Sequence, residues 1–148
     1  MTPEHIALVQ CTFADVVPMA ETAAALFYER LLTLDPTLRS LFHRDMQEQG
    51  RKLMAVLHLA VAGLSRLEDL VPILQELGKR HHRYGVQDAH YATVGAALLW
   101  TLHQGLGERF SPEVQAAWTS AYTLLADTMR AAAAEEAAAA ALAETLLV

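Results

Sequence analysis

Two adjacent histidines, His81 and His82, follow a leucine-rich segment and could supply a metal ligand. Five residues at helical spacings of four, three, four and three form one stripe on a predicted helix. They are Leu70, Leu74, Leu77, His81 and Tyr84. We therefore expect His81 to face the core with the leucines. His82 lies about 100° further around the helix and is expected to face solvent.

Two interpretations of His81 follow from this pattern. It is either a buried histidine hydrogen-bonded to a backbone carbonyl, or an axial ligand that presents one imidazole nitrogen to iron. The seven histidines form no HExxH motif, and the single cysteine, Cys11, rules out a cysteine zinc site or an internal disulfide. A cofactor that brings its own four nitrogens fits these residues better than a site built from several protein ligands.

The composition describes a single folded domain. The chain has 148 residues, of which 53% are hydrophobic and 19% charged, so it can build a real core and is not a disordered protein. Its net charge of -6 gives no electrostatic affinity for nucleic acid. The N-terminus does not resemble a signal peptide, and no run of 18 apolar residues predicts a membrane span. We expect a cytoplasmic protein without a membrane partner.

Helical periodicity runs through the chain and predicts an all-α fold of six to eight helices with short connections. The expected helix starts are Thr2-Pro3, Pro18, Asp35-Pro36, Gln47, the leucine stripe, Asp88 and Ser111-Pro112. We expect one domain over residues 1–130. Residues 131–148 are expected to be the end of the last helix and an alanine-rich tail, for which helix, frayed end and dimer contact all remain open.

A second group of residues upstream could form a wall opposite His81. Gln49, Leu53 and Leu57 share one helical face. Phe42 ends a short helix, where a flat ring could lie against a flat ligand, and Tyr28 is next to a core position. Each has an ordinary alternative: Gln49 as a surface residue, Phe42 as core, and Tyr28 as half-buried with a solvated hydroxyl. Their coincidence with His81 favours a pocket.

Six stretches over residues 20–130 resemble bacterial single-domain globins of the flavohaemoglobin type. They are LFYERLL, DPTLRSLF, QGRKLMAVL, LEDLVPILQELGKRHHRYGV, HYATVGAALL and AAWTSAY. The resemblance implies a globin fold, with six to eight helices around a pocket for haem b. It implies His81 as the proximal iron ligand, Phe42 as the residue that wedges the haem, and Tyr28 and Gln49 as the distal polar pair.

The resemblance implies further residues around the haem. The expected contacts are Leu53 and Leu57 on the distal wall, Tyr91 as a proximal tyrosine, Arg80 towards a propionate, and Leu77, Val86 and Val94 along the pocket. Glu135 is expected to hydrogen-bond the proximal histidine, with Glu136 next to it. A carboxylate on the imidazole would make that ligand more basic.

The resemblance also implies a function. We expect a monomer or weak dimer that binds O2, NO and CO, releases O2 slowly, and converts NO and O2 to nitrate with an external reductase. No GxGxxG motif in the sequence indicates a dinucleotide site of its own. Two alternatives are a haem-based gas sensor and a cofactor-free helical bundle in which His81 and Tyr28 are ordinary core residues.

Overall fold

The described residues form a bundle of α-helices. A computed structural model describes residues 1–43 and 45–147, which contain six α-helices and no β-strand. The helices are α1 (Pro3–Val16), α2 (Ala20–Leu34), α3 (Met46–Gly63), α4 (Leu67–Arg83), α5 (His90–Leu106) and α6 (Pro112–Leu147). Short 3-10 segments cover Val17–Met19, Pro36–Leu41 and Gly107–Arg109. The predicted all-α fold with short connections is therefore confirmed.

Three of the seven predicted helix starts are stabilised by the capping side chain that the sequence indicates. The Thr2 hydroxyl accepts the His5 backbone N–H at 3.1 Å, the Asp35 carboxylate accepts a backbone N–H of the next 3-10 segment, and Ser111 accepts one at the start of α6. The prediction for Asp88 was wrong. No side chain caps α5, and the Asp88 carboxylate instead accepts two hydrogen bonds from Arg130, at 2.6 and 2.9 Å.

The core lies where α1, α2, α5 and α6 meet. Phe13, Phe27 and Trp118 are almost fully buried in it. The Trp118 indole N–H donates to the Thr12 hydroxyl at 2.9 Å, so this buried polar pair is satisfied. The segment Pro3–Leu34 is long and apolar enough to span a membrane by length and composition alone. Its 3-10 break and its buried side chains make it part of this core.

Two glycines let helix backbones touch at the places that orient the candidate site. A Cβ built on Gly78 of α4 would lie 2.3 Å from the Met129 carbonyl oxygen of α6, so the backbones meet here with no side chain between them. A Cβ on Gly50 of α3 would lie 3.0 Å from the Ala24 methyl of α2. Gly78 stands one turn before His81, and Gly50 directly follows Gln49. These contacts fix the positions of α4, which carries His81, and α3, which carries Gln49.

Gly78→Ala is expected to lower the free energy of unfolding of the apoprotein by about 1–3 kcal/mol, because the new methyl overlaps backbone atoms that cannot rotate away. Urea denaturation measures this change. Gly105→Ala is the matched control: it also adds a methyl inside a helix, but its nearest neighbour is the flexible Met19 sulfur at 3.3 Å. Equal stability of the two variants would contradict the proposed close contact.

The last helix continues through the alanine-rich segment. α6 runs 36 residues without interruption, so the tail that the sequence left open is helical up to Leu147. Ala132 is its last buried residue, and every side chain from 138 to 146 is exposed. The division of the chain at residue 130 coincides with the end of the buried part but remains a prediction.

Candidate functional site

His81 is held at the end of α4 in a form suited to bind a metal. Its side chain is half-buried, and its Nδ1–H donates to the Leu77 carbonyl at 2.8 Å. Burial lowers the pKa of the imidazole, and the hydrogen bond to Leu77 partly opposes this shift. The ring is therefore neutral at pH 7. Because a carbonyl can only accept, Nδ1 carries the proton and Nε2 keeps the lone pair that a metal requires.

For the residues around His81, the predicted exposure to solvent agrees with the structure in some cases and not in others. His82 is exposed, as expected. Tyr84 was placed on the same stripe, but α4 ends at Arg83 and the Tyr84 side chain is 72% exposed. Arg80 is also exposed and forms an ion pair with Glu76 at 3.8 Å. A role for Arg80 at a propionate stays a prediction.

The described residues show no contact between Glu135 and His81, and the role of Glu135 stays a prediction. The one proton on Nδ1 is donated to the Leu77 carbonyl, and Glu135 is exposed on α6. The neighbouring Glu136 is turned towards α4 instead, where its Oε1 accepts from Arg83 Nε at 3.0 Å. Glu135 was chosen by counting residues along an alanine-rich helix. The carboxylate that faces α4 is the next one, Glu136, and the count could not reveal that Arg83 binds it.

Tyr28 and Gln49 come together between α2 and α3. Tyr28 is 7% exposed, and burial raises the pKa of its hydroxyl, while a side-chain hydrogen bond with Gln49 opposes that shift. The Tyr28 ring packs edge-on against Phe42, with 5.3 Å between ring centroids, and against Phe27 at 5.0 Å. The close contact at Gly50 holds Gln49 in this position. The three residues predicted for the distal side are therefore neighbours.

Apolar side chains of the predicted pocket share one property that suits a large flat cofactor. They are half-buried while packing against the core, and they are Phe42, Leu53, Leu57, Leu77, Val86 and Val94. Half-buried apolar side chains of this kind can cover a flat ligand that has two apolar faces. Together with the free Nε2 of His81, these residues fit a haem group.

Tyr91 has a buried polar atom in need of a partner. The side chain is 9% exposed, and its hydroxyl has no hydrogen bond among the residues that the structure describes. Burial raises the pKa of this hydroxyl, and the nearby Asp88 carboxylate adds to the effect. The Tyr91 backbone carbonyl accepts from the Tyr122 hydroxyl at 2.6 Å. The predicted role of Tyr91 beside the proximal ligand is not tested by these contacts.

Two ion pairs that the sequence did not reveal hold the connection between α4 and α5 onto α6. Arg83 at the end of α4 pairs with Glu136, and Asp88 just before α5 pairs with Arg130. Within the connection, the Val86 N–H donates to the His81 carbonyl at 3.0 Å. Ion pairs between residues about 40 to 50 positions apart leave no local pattern in a sequence, so they could not have been predicted from it.

Cavities lie on the distal side. A groove of about 700 Å³ runs along α2 and α3 beside their contact at Gly50 and is bordered by Tyr28, although the other predicted site residues do not line it. A second, wholly apolar cavity lies under Leu53 and Leu57 and reaches Trp118 in the core. The two distal leucines therefore stand between the candidate site and the apolar interior.

Comparisons with known proteins agree with this geometry. The Globin family profile matches residues 25–129. The chain is 33% identical over 132 residues to a flavohemoprotein of Bordetella parapertussis, an alignment that covers 87% of this chain and 33% of the relative. It is 30% identical over 118 residues to neuroglobin-1 of Oncorhynchus mykiss, covering 70% of this chain and 74% of that relative.

The solved structures show the same fold. An engineered carbene transferase, made from a nitric oxide dioxygenase candidate of Rhodothermus marinus, superposes with a TM-score of 0.85 at 24% identity. The match covers 95% of this chain and 99% of that one, and at this identity it shows the fold alone.

The chain belongs to the globin family, and its fold is the globin fold. Within that family it is similar to the globin portion of the flavohemoproteins, and membership implies a haem cofactor and small gas ligands. The chain spans about a third of the length of the curated flavohemoproteins that it matches.

Proposed function

We propose that this globin binds haem b through Nε2 of His81 and holds O2, NO or CO on the side formed by Tyr28 and Gln49. The observation that carries the proposal is the buried Tyr28 ring, which packs edge-on against Phe42 and has the half-buried Gln49 beside it. A bound diatomic gas is of the right size and polarity to accept a hydrogen bond from these side chains.

The interaction between Tyr28 and Gln49 is compatible with this role. Gln49 opposes the rise in the pKa of the Tyr28 hydroxyl, and we propose that its amide N–H donates to the phenolic oxygen. The Tyr28 O–H proton then remains free to donate to a ligand. Hydrogen bonds to a charged acceptor are worth about 1.5–3 kcal/mol, and water exclusion strengthens them further. These residues should therefore slow the release of O2.

His81 supplies the other half of the site. Its neutral imidazole leaves Nε2 able to ligate, while the Leu77 carbonyl fixes the ring orientation through Nδ1. The half-buried leucines and Val94 exclude water from the haem faces. When bound, haem iron supplies the coordination site at which O2 is activated.

We further propose NO dioxygenation as an activity of this site, in the balance NO + O2 + e⁻ → NO3⁻. The similarity to the flavohemoproteins supports this proposal. We propose that a flavin-containing reductase supplies the electron, as the flavohemoprotein relatives suggest by name. Tyr28 and Gln49 hold O2 while NO enters.

Nitrate formation tests the proposed reaction. The O2-saturated, reduced globin is mixed with limiting NO, and nitrate is measured with and without a flavin reductase and its nicotinamide donor. We expect one nitrate per haem without the reductase and many with it. Formation of nitrite at the rate of the protein-free solution, with no nitrate from the first turnover, would contradict a dioxygenase role.

A further inference from the structure

The apolar cavity behind the two distal leucines suits a gas better than water. Its volume is about 20 Å³, which is room for one small molecule. Two polar side chains line it, and both already have partners. The Thr101 hydroxyl donates to the Ala97 carbonyl at 2.8 Å, and the Trp118 indole N–H donates to Thr12. A water molecule inside would lack the two or more partners that hold buried waters, whereas an apolar diatomic gas needs none.

Met54 of α3 stands between this cavity and the groove along α2 and α3. Among the described residues it is the one whose side chain lines both of them. It is half-buried and packs against the core. A methionine side chain is unbranched and has three rotatable bonds, so it can swing aside without any movement of the helices. Its position and its flexibility are those of a gate.

One turn earlier, the same face of α3 offers no passage. Gly50 lies four residues before Met54 and shares its side of the helix. It is so close to α2 that an added Cβ would lie 3.0 Å from the Ala24 methyl. The groove also borders Tyr28, but that ring is buried. A gas in the groove therefore meets packed atoms at Gly50 and Tyr28, and a movable side chain at Met54.

We propose that Met54 is the gate through which small apolar gases pass from the groove into the cavity, where one molecule waits behind Leu53 and Leu57. The proposal rests on the proposed function, because these leucines are the distal wall of that site. It deepens that function, because the reaction of NO with O2 needs two gases at once. While one gas is held beside Tyr28 and Gln49, the cavity holds the second, and neither polar side chain has to move to admit it.

Flash photolysis of the ferrous carbon monoxide complex tests the gate through the bimolecular association rate constant of CO. In Met54→Trp a larger and stiffer side chain closes the gap, and we expect the rate constant to fall about tenfold. In Met54→Ala the gap stays open, and we expect a rise of about threefold. Wild-type rate constants in both variants would overturn the proposal, because the gas would then enter elsewhere.

Met46 provides the matched control. It is also a half-buried methionine of α3, and it lines the groove but not the cavity. Met46→Trp and Met46→Ala make the same changes about two turns earlier, and both are expected to keep the wild-type rate constant. Equal effects at Met46 and Met54 would overturn the role of Met54, because the variants would then act through the general packing of α3.

Xenon tests the cavity without relying on the association rate. It is an apolar atom that occupies dry apolar cavities. In methyl NMR spectra of the carbon monoxide complex under xenon pressure, we expect saturable shifts at Leu57 and Leu102, which line the cavity. We expect none at Leu32, which lines only the groove. The absence of shifts at the two cavity leucines would overturn the waiting site.

The outcomes also distinguish this proposal from the proposed function. A wild-type protein that binds no CO after loading with hemin and reduction would remove the haem site itself. Normal CO binding, with wild-type rate constants in the folded Met54 variants, would overturn the gate and leave the haem site intact. If Met54→Trp fails to fold, Met54→Ala and the xenon spectra still decide the question.

Discussion

The His81→Ala variant is expected to lose the axial bond to haem iron, and with it the sharp carbon-monoxide-dependent band of the reduced protein. His81 is the only side chain on the inner face of α4 that combines a neutral imidazole with a free Nε2. Once it is removed, the half-buried leucines can still hold the porphyrin by apolar contact, but they supply no ligand. Absorption spectra before and after adding carbon monoxide measure the effect.

A neighbouring histidine provides the matched control. His82 is exposed, so His82→Ala should leave the spectrum unchanged. Imidazole added to His81→Ala should restore the band by occupying the vacated space, which a merely unfolded variant would not allow. A wild-type spectrum in His81→Ala would show that another residue ligates the iron. No haem band in the wild type after reconstitution would leave only the helical bundle.

The second large effect is expected at the distal pair. Tyr28→Phe should raise the O2 dissociation rate constant about ten- to a hundredfold, because it deletes one hydrogen bond to a charged acceptor, worth about 1.5–3 kcal/mol. The ring is retained, so the edge-on contacts with Phe27 and Phe42 remain and the fold should be unaffected. Stopped-flow displacement of O2 by carbon monoxide measures the rate constant.

Carbon monoxide and Gln49 supply the controls for this prediction. Bound CO accumulates less negative charge than O2, so its dissociation should change much less in Tyr28→Phe. Gln49→Leu should also speed O2 loss, and the double variant should fall short of the sum of the two effects because the two side chains interact with each other. An unchanged O2 rate in Tyr28→Phe would place the ligand away from Tyr28.

The sequence predicted the parts of the site that local spacing determines. The four-three-four spacing of the leucines placed His81 on the inner face of α4, and the same reasoning set Gln49 with Leu53. Phe42 at the end of the short helix was predicted from Asp35-Pro36. These features depend on helical periodicity and capping, which are determined by residues that lie close together in the sequence.

The features that sequence reasoning missed all depend on contacts between distant residues. Asp88 was expected to cap α5 because it precedes the helix, but its pairing with Arg130 depends on how α6 packs. Glu135 was chosen by counting through a run of alanines, and such a run does not show which face of the helix is buried. Gly78 offered a usable signal, since a glycine inside a helix costs about 1 kcal/mol and is kept where two backbones touch.

The long helix α6 has a stable part packed on the core and a much less stable part that is exposed to solvent. Between Val114 and Ala132 the helix packs buried side chains into the core, so we expect most of its amides to exchange only when the globin opens. Over residues 138–146 every side chain is exposed, so this part of the helix depends on alanine propensity, which is marginal for so short a segment. Those amides exchange by fraying, without disturbing haem or its ligands. A protease can therefore shorten the helix while the gas-binding site remains intact.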